Sequence, residues 1–100
     1  MATFVSLVSF TDQGIRNVKD SPARFDGFRA AAEKLGVTVK SVYWTVGSCD
    51  IVVTVDGPEE AVAAMNMKVG SLGNVRSQTM RAFGADEMGR SMVARLVWGA

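Results

Sequence analysis

Six side chains are the candidates for binding a ligand: Tyr43, Trp44, Asp50, Asn74, Arg76 and Gln78. A guanidinium group matches the planar, two-oxygen geometry of a carboxylate. Arg76 could therefore hold a carboxylate ligand, with Asn74, Gln78 and Tyr43 nearby. The alternative is that Arg76 forms an intersubunit salt bridge or lies at a solvated edge.

Asp50 belongs to the short polar segment of residues 47–50, which joins two hydrophobic runs and predicts a β-hairpin. The carboxylate could bind a ligand or a partner at the mouth of the sheet. It could instead accept hydrogen bonds from backbone N–H groups of the turn and fix the strand register. We favour the second interpretation.

Tyr43 and Trp44 are adjacent on a predicted strand, so their side chains face opposite sides of the sheet. Simple alternation along this strand places Val39 with Tyr43, and Val42 with Trp44. One aromatic ring then belongs to the core under the helices. The other lines the opposite face, as packing or as the wall of a pocket, and the sequence does not decide which is which.

The chain has no histidine and one cysteine, Cys49. The usual proton shuttle near neutral pH and the commonest metal ligand are therefore missing. Cys49 has no histidine base and no cation adjacent in sequence, so we interpret it as a small, half-buried filler and not as a nucleophile. We expect no metal and no cofactor, and we identify no catalytic constellation in the sequence.

The composition indicates one globular domain, with 100 residues, of which 48% are hydrophobic and 21% charged. A net charge of +1 without a basic run disfavours nucleic-acid binding. No signal peptide is apparent, and no apolar stretch approaches the roughly 20 residues that span a bilayer. The lone cysteine fits a reducing, cytoplasmic compartment.

Hydrophobic periodicity predicts the order strand, helix, strand, strand, helix, strand, which is the ferredoxin-like α+β plan with a four-stranded antiparallel sheet and two helices on one face. The strands are predicted at residues 3–10, 37–46, 51–55 and 75–83, and the helices at 21–35 and 58–69. Thr11 or Asp12 is expected to cap a short helical turn, and Ser21 to cap the first long helix. Its apolar stripe is Phe25, Phe28, Ala32 and Leu35; Arg24, Arg29, Glu33 and Lys34 lie off that stripe, and Gly36 is the predicted stop.

Two helices can cover only one face of such a sheet, while Val5, Leu7 and Val52 make the other face apolar as well. A second copy of the sheet is the economical cover, so we expect a homodimer or a higher oligomer with a barrel-like interior. Residues 1–84 then form the domain and residues 85–100 a C-terminal helical extension. A helix this short is marginal alone, so we expect it to dock on the body or on a partner chain.

The opening segment MATFVSLVSFTDQGIRNVKDSP, the loop GSLGNVR at residues 70–76 and the segment MRAF at 80–83 resemble the GYD domain family of small bacterial and archaeal proteins. The resemblance covers about residues 1–90, and the first two segments are its specific part. It implies a dimeric α+β barrel but no reaction, because the family's biochemical function is not established. The family's hairpin carries Gly-x-Tyr-Asp, and Cys49 stands here in the place of that tyrosine.

We therefore predict a small-molecule-binding or regulatory module that works as a homo-oligomer. The alternative is a cofactor-free oxygenase or isomerase acting on a small aromatic substrate, with acid–base and anion-stabilising roles for Asp50, Tyr43 and Arg76. That enzyme would need the three side chains to converge within ~3–4 Å of a common empty volume. A purely structural assembly unit is the third hypothesis.

Overall fold

A computed structural model describes residues 2–98. Its elements are β1 (Ala2–Phe10), α1 (Asp12–Arg16), a 3₁₀ turn (Val18–Asp20), α2 (Ser21–Lys34), β2 (Thr38–Trp44), β3 (Ile51–Gly57), α3 (Glu59–Ser71) and β4 (Val75–Ala82), followed by a C-terminal arm at residues 85–98. The strands form one antiparallel sheet in the order β2-β3-β1-β4. This order confirms the predicted ferredoxin-like α+β fold.

The core lies between the sheet and the two long helices. Strand alternation turns every second residue of β1 and β3 toward α2 and α3, and the buried apolar residues are Phe4, Ala32, Val37, Ile51, Val53, Val55, Val62 and Met65. Gly57 at the end of β3 allows the segment around Val37 to pack closely against it, because a Cβ at position 57 would lie 2.9 Å from Cγ2 of Val37. Leu35 was predicted to be buried but is 52% exposed, because it follows the last residue of α2 and borders the open space between this helix and the sheet.

An irregularity in β2 reverses the predicted alternation. The pairing of β2 with β3 shifts register between Val39 and Ser41, so Lys40 is one extra residue on β2. Val39 consequently faces the helices together with Val42 and Trp44, although simple alternation placed it on the face of Tyr43. The prediction for the first half of this strand was wrong because a single inserted residue exchanges the two faces.

The two helix starts differ from each other. Thr11 caps α1 as predicted, since its hydroxyl accepts a hydrogen bond from the N–H of Gly14 at 3.1 Å. Ser21 does not cap α2, because the 3₁₀ turn leads directly into this helix and makes Ser21 its first residue. The Ser21 hydroxyl instead accepts a hydrogen bond from the indole N–H of Trp44 at 3.0 Å. The stop at Gly36 is confirmed by its positive φ of 80°.

The C-terminal arm extends away from the sheet and helices. The radius of gyration is 15.4 Å, against about 13 Å for a compact chain of this length. At the start of the arm Glu87 accepts a hydrogen bond from the N–H of Gly84 at 3.2 Å and pairs with Arg81 at 3.2 Å. The Gly84 hydrogen bond first, and Arg81 second, lower the pKa of the Glu87 carboxyl. Leu96 remains 73% exposed.

Candidate functional site

An apolar cleft of about 690 Å³ opens between α2, α3 and the helix-facing side of the sheet. Its floor is formed by side chains of β1 and β3 such as Val8 and Val53. Small residues border the cleft on both helices: Gly27 and Ala31 on α2, and Ala64 on α3. The volume lies within the range of about 300–1,000 Å³ that small-molecule sites occupy.

Arg24 supplies the most distinctive polar group of the cleft. Its Nη1 donates a hydrogen bond to the carbonyl oxygen of Asn17 at 2.9 Å. Its Nη2 is buried and finds no hydrogen-bond partner among residues 2–98. A buried donor without a partner costs about 1–3 kcal/mol, and more when the group is charged. Because this nitrogen has no accessible surface in the structure, a ligand's acceptor oxygen would remove that cost only after a small rotation of the side chain toward the cleft.

A chain of hydrogen bonds holds this end of the cleft together. Asn17, which binds Arg24, donates from its side chain to the carbonyl oxygen of Gln13 at 2.9 Å. The Gln13 amide donates in turn to the carbonyl oxygen of Leu72 at 3.2 Å and to Oδ1 of Asn74 at 3.0 Å. The α1 region is therefore tied to the loop before β4. Asn74, a predicted site residue, lines the cleft at this end.

Gly14 and Asn74 make a close backbone contact beside the same network. Gly14 is buried, and a Cβ on it would lie 1.8 Å from the carbonyl oxygen of Asn74. That oxygen accepts a hydrogen bond from the N–H of Thr11 at 3.0 Å, and the Thr11 hydroxyl donates to the carbonyl oxygen of Gly73 at 2.6 Å. Only glycine fits at position 14, which explains the single glycine of the opening segment.

The side chains of Tyr43, Arg76 and Gln78 lie on the opposite, open face of the sheet. Pairing aligns Tyr43 with Gln78 in one row across it, through Val52 and Leu7. Tyr43 belongs to edge strand β2, while Arg76 and Gln78 belong to the other edge strand, β4. Three strand spacings separate these edges, which is about 14 Å. One chain therefore does not bring Tyr43 together with Arg76.

Asp50 joins the hairpin to the end of β1. Its Oδ2 accepts a hydrogen bond from the N–H of Phe10 at 2.8 Å, and its own N–H donates to the carbonyl oxygen of Val8 at 2.8 Å. The carboxylate thus bonds the backbone of a neighbouring strand and not that of its own turn. Asp50, Tyr43 and Arg76 all lie outside the lining of the cleft, so the cleft gives the enzyme hypothesis no common site.

Trp44 occupies the helix side of the sheet, which answers the question that the sequence left open. Its ring meets that of Phe25 edge-on, with centroids 5.8 Å apart and planes at 73°. Together with the hydrogen bond to Ser21, this contact fixes the first turns of α2 against the end of β2. Tyr43 is therefore the aromatic residue of the open face, where it is 66% exposed.

Sequence reasoning missed Arg24, Lys34 and Lys68, the three charged residues that line the cleft. The sequence placed Arg24 and Lys34 only off the apolar stripe of α2 and gave them no role in a site. The available signal was the pair of small residues, Gly27 and Ala31, one helical turn apart on the same helix. Small residues at that spacing leave a gap on the helix surface, and the side chains of neighbouring arginine and lysine residues can line it.

Residues 2–98 contain no cluster of three or more His, Cys, Asp or Glu side chains that could hold a metal ion. No helix among them has the length and apolar character needed to cross a bilayer.

Comparison with known proteins identifies the family. The GYD domain model matches residues 4–92, which include β1 from Phe4 onward, the other three strands, α2, α3 and the first part of the arm. No curated protein shows significant sequence similarity to the chain. The family match agrees with the resemblance carried by the opening segment and the loop at residues 70–76. The chain therefore belongs to the GYD domain family.

Proposed function

We propose that this GYD domain protein binds a small apolar molecule in the cleft between α2 and α3, and that it works as a homodimer joined through the open face of its sheet. The observation that carries the binding proposal is the cleft itself, with its volume of about 690 Å³. Two long helices and two central strands frame it, so a ligand would meet a largely formed site. Little ordering cost would then oppose the gain from burying apolar surface.

The homodimer is supported by the chemistry of the open face. Its central rows pair Val5 with Met80, and Leu7 with Val52, which makes an apolar band. Beyond this band, Asp56 accepts a hydrogen bond from Thr3 and lies 3.7 Å from Lys40. An apolar centre with a polar border is typical of an interface, and a second copy offers the same surface about a two-fold axis.

Binding can be tested with Nile red, a neutral dye that fluoresces in apolar surroundings. Ala64 lines the cleft, whereas its neighbour Ala63 is exposed on the same helix and does not. We expect Ala64→Phe to fill the cleft and abolish dye binding, and Ala63→Phe to bind like the wild type. A ligand present at 100 times its Kd should also stabilise the wild type by about 2.7 kcal/mol in a thermal shift assay. Equal dye binding by all three proteins would contradict the proposal.

Dimerisation can be tested by sedimentation at micromolar concentration. Leu7 lies in the apolar band, and Ile15 is an equally bulky residue that is exposed on α1 instead. The wild type and Ile15→Lys should sediment as dimers or larger oligomers, and Leu7→Lys as a monomer, because a lysine ammonium would be desolvated in the interface. A monomeric wild type would contradict the dimer and would leave the binding proposal standing.

A further inference from the structure

We infer that the cleft takes an amphiphile with one anionic head group, whose head is bound by Arg24 and whose hydrocarbon chain lies along the floor between the helices. This inference rests on the proposed cleft binding and adds the chemistry of the ligand. The carboxylate of a single-chain fatty acid is the simplest head group of this class.

The charges around the cleft have one sign. Among the described residues 2–98, its lining contains Arg24, Lys34 and Lys68, and no aspartate or glutamate. The whole chain has 11 basic and 10 acidic residues, so an all-cationic lining is not a consequence of a basic protein. An apolar floor below three cations complements a molecule that is apolar along its length and negative at one end.

Arg24 is held in a position to bind that end. The carbonyl oxygen of Asn17 accepts a hydrogen bond from Nη1, which orients the guanidinium plane. Nη2 is left buried, and no residue in the described range 2–98 accepts its hydrogen bond. A guanidinium presents its donors as a fixed fork, so a small rotation that turns the free side toward the cleft would let an anionic oxygen satisfy the group.

Lys68 borders the same end of the cleft as Arg24, and Lys34 the opposite end. Arg24 lies at the start of α2 and Lys68 near the end of α3, and in this fold the two helices run in opposite directions. Lys34 is ten residues after Arg24 on α2, which corresponds to about 15 Å along the helix. An alkyl chain with its head at Arg24 would therefore run toward Lys34, over the apolar floor.

The test compares three ligands that share a dodecyl chain and differ in the head group: dodecanoate, dodecanol and dodecyltrimethylammonium. We expect calorimetric titration to give dodecanoate a Kd about 10- to 100-fold below that of dodecanol, the range expected for a hydrogen bond to a charged group. The trimethylammonium compound should bind most weakly, because its charge repels the lining.

Substitutions of the cations test which of them binds the anionic head group. Arg24→Gln should bring the Kd of dodecanoate close to that of dodecanol, and Arg24→Lys should restore part of the difference while proving that the site tolerates substitution. Arg29→Gln is the matched control, because Arg29 is an exposed cation of α2 that does not line the cleft. Arg29→Gln should bind dodecanoate more tightly than dodecanol by the same factor as the wild type.

Three outcomes would overturn the inference, and they differ in what they leave standing. If wild-type protein binds dodecanol as tightly as dodecanoate, the anionic head is wrong and cleft binding survives. If Lys34→Gln removes the preference and Arg24→Gln does not, the head group lies at the wrong end. If none of the three compounds binds, the inference and the proposed function both fail.

Discussion

Replacing Gly14 by alanine should disrupt the junction that closes the Arg24 end of the cleft. The new Cβ would lie 1.8 Å from the carbonyl oxygen of Asn74, far inside van der Waals contact. This oxygen is part of the backbone and already accepts a hydrogen bond from Thr11. No flexible side chain can give way, so α1 and the loop before β4 must move apart.

The expected loss in the free energy of unfolding has two contributions. Overpacking of a close contact costs about 1–3 kcal/mol. Separation of the two segments also weakens the hydrogen bonds from Thr11 to Asn74 and Gly73, and each is worth about 1 kcal/mol. We therefore expect Gly14→Ala to lower the free energy of unfolding by about 2–5 kcal/mol, a large share of the total of about 5–15 kcal/mol typical for a domain.

Urea denaturation followed by circular dichroism measures this change, at a fixed protein concentration because an oligomer's stability depends on it. Gly27→Ala is the control. Gly27 is exposed in the middle of α2, and a Cβ there meets no atom within 4 Å. This variant should gain about 0.5–1 kcal/mol from helix propensity. The reasoning is refuted if the free energy of unfolding of Gly14→Ala equals that of the wild type or that of the Gly27→Ala control.

Three more substitutions test single contacts. Asp50→Ala removes the acceptor of the Phe10 N–H and should cost about 1–3 kcal/mol in urea unfolding; unchanged hydrogen exchange of the Phe10 amide would count against the contact. Trp44→Phe keeps an aromatic ring but leaves the Ser21 hydroxyl without its donor, so about 1 kcal/mol should be lost, and no loss would mean that water replaces the indole. The pKa of Glu87 is lower in the folded protein than its ordinary value. The ionised carboxylate therefore stabilises the start of the arm at any pH above the ordinary glutamate pKa, and this stabilisation is lost as the pH falls through the lowered pKa. The helical circular dichroism of the wild type should therefore fall over that acid range, and a Glu87→Gln variant with the same acid transition would contradict this assignment.

Local patterns were sufficient to predict the order of the elements. The run of β-branched and aromatic residues in β1 and the three- and four-residue spacing of the stripe on α2 are both patterns within a single element. The stop at Gly36 is equally local, because a positive φ is a property of one residue. Such features are recoverable from the sequence since no distant partner is needed to define them.

Features that depend on a distant partner could not be predicted in this way. The extra residue at Lys40 is visible only when β2 is paired with β3, and it decides which face Val39 shares. The close contact of Gly14 with Asn74 joins residues 60 positions apart.

The cleft and its cations depend most strongly on tertiary structure. In the sequence, Arg24 is one of several charged residues that lie off the apolar stripe of α2. Its special position arises from the 3₁₀ turn, which brings the carbonyl oxygen of Asn17 within hydrogen-bond distance of its guanidinium group. The width of the gap is set by how α2 and α3 rest on separate parts of the sheet, α2 against β2 and α3 against β4. No periodicity within either helix reports that separation, and Asn74 is the only one of the six candidate residues that lines the cleft.

The most direct test of the cleft as a ligand site is the location of bound dodecanoate by intermolecular nuclear Overhauser effects to methyl groups. The cleft methyls of Val53, Val62 and Ala64 and the open-face methyls of Leu7 and Val52 lie on opposite sides of one sheet. We expect Overhauser effects from the alkyl chain to the first group and none to the second. Effects confined to Leu7 and Val52 would place the ligand on the open face and contradict the account.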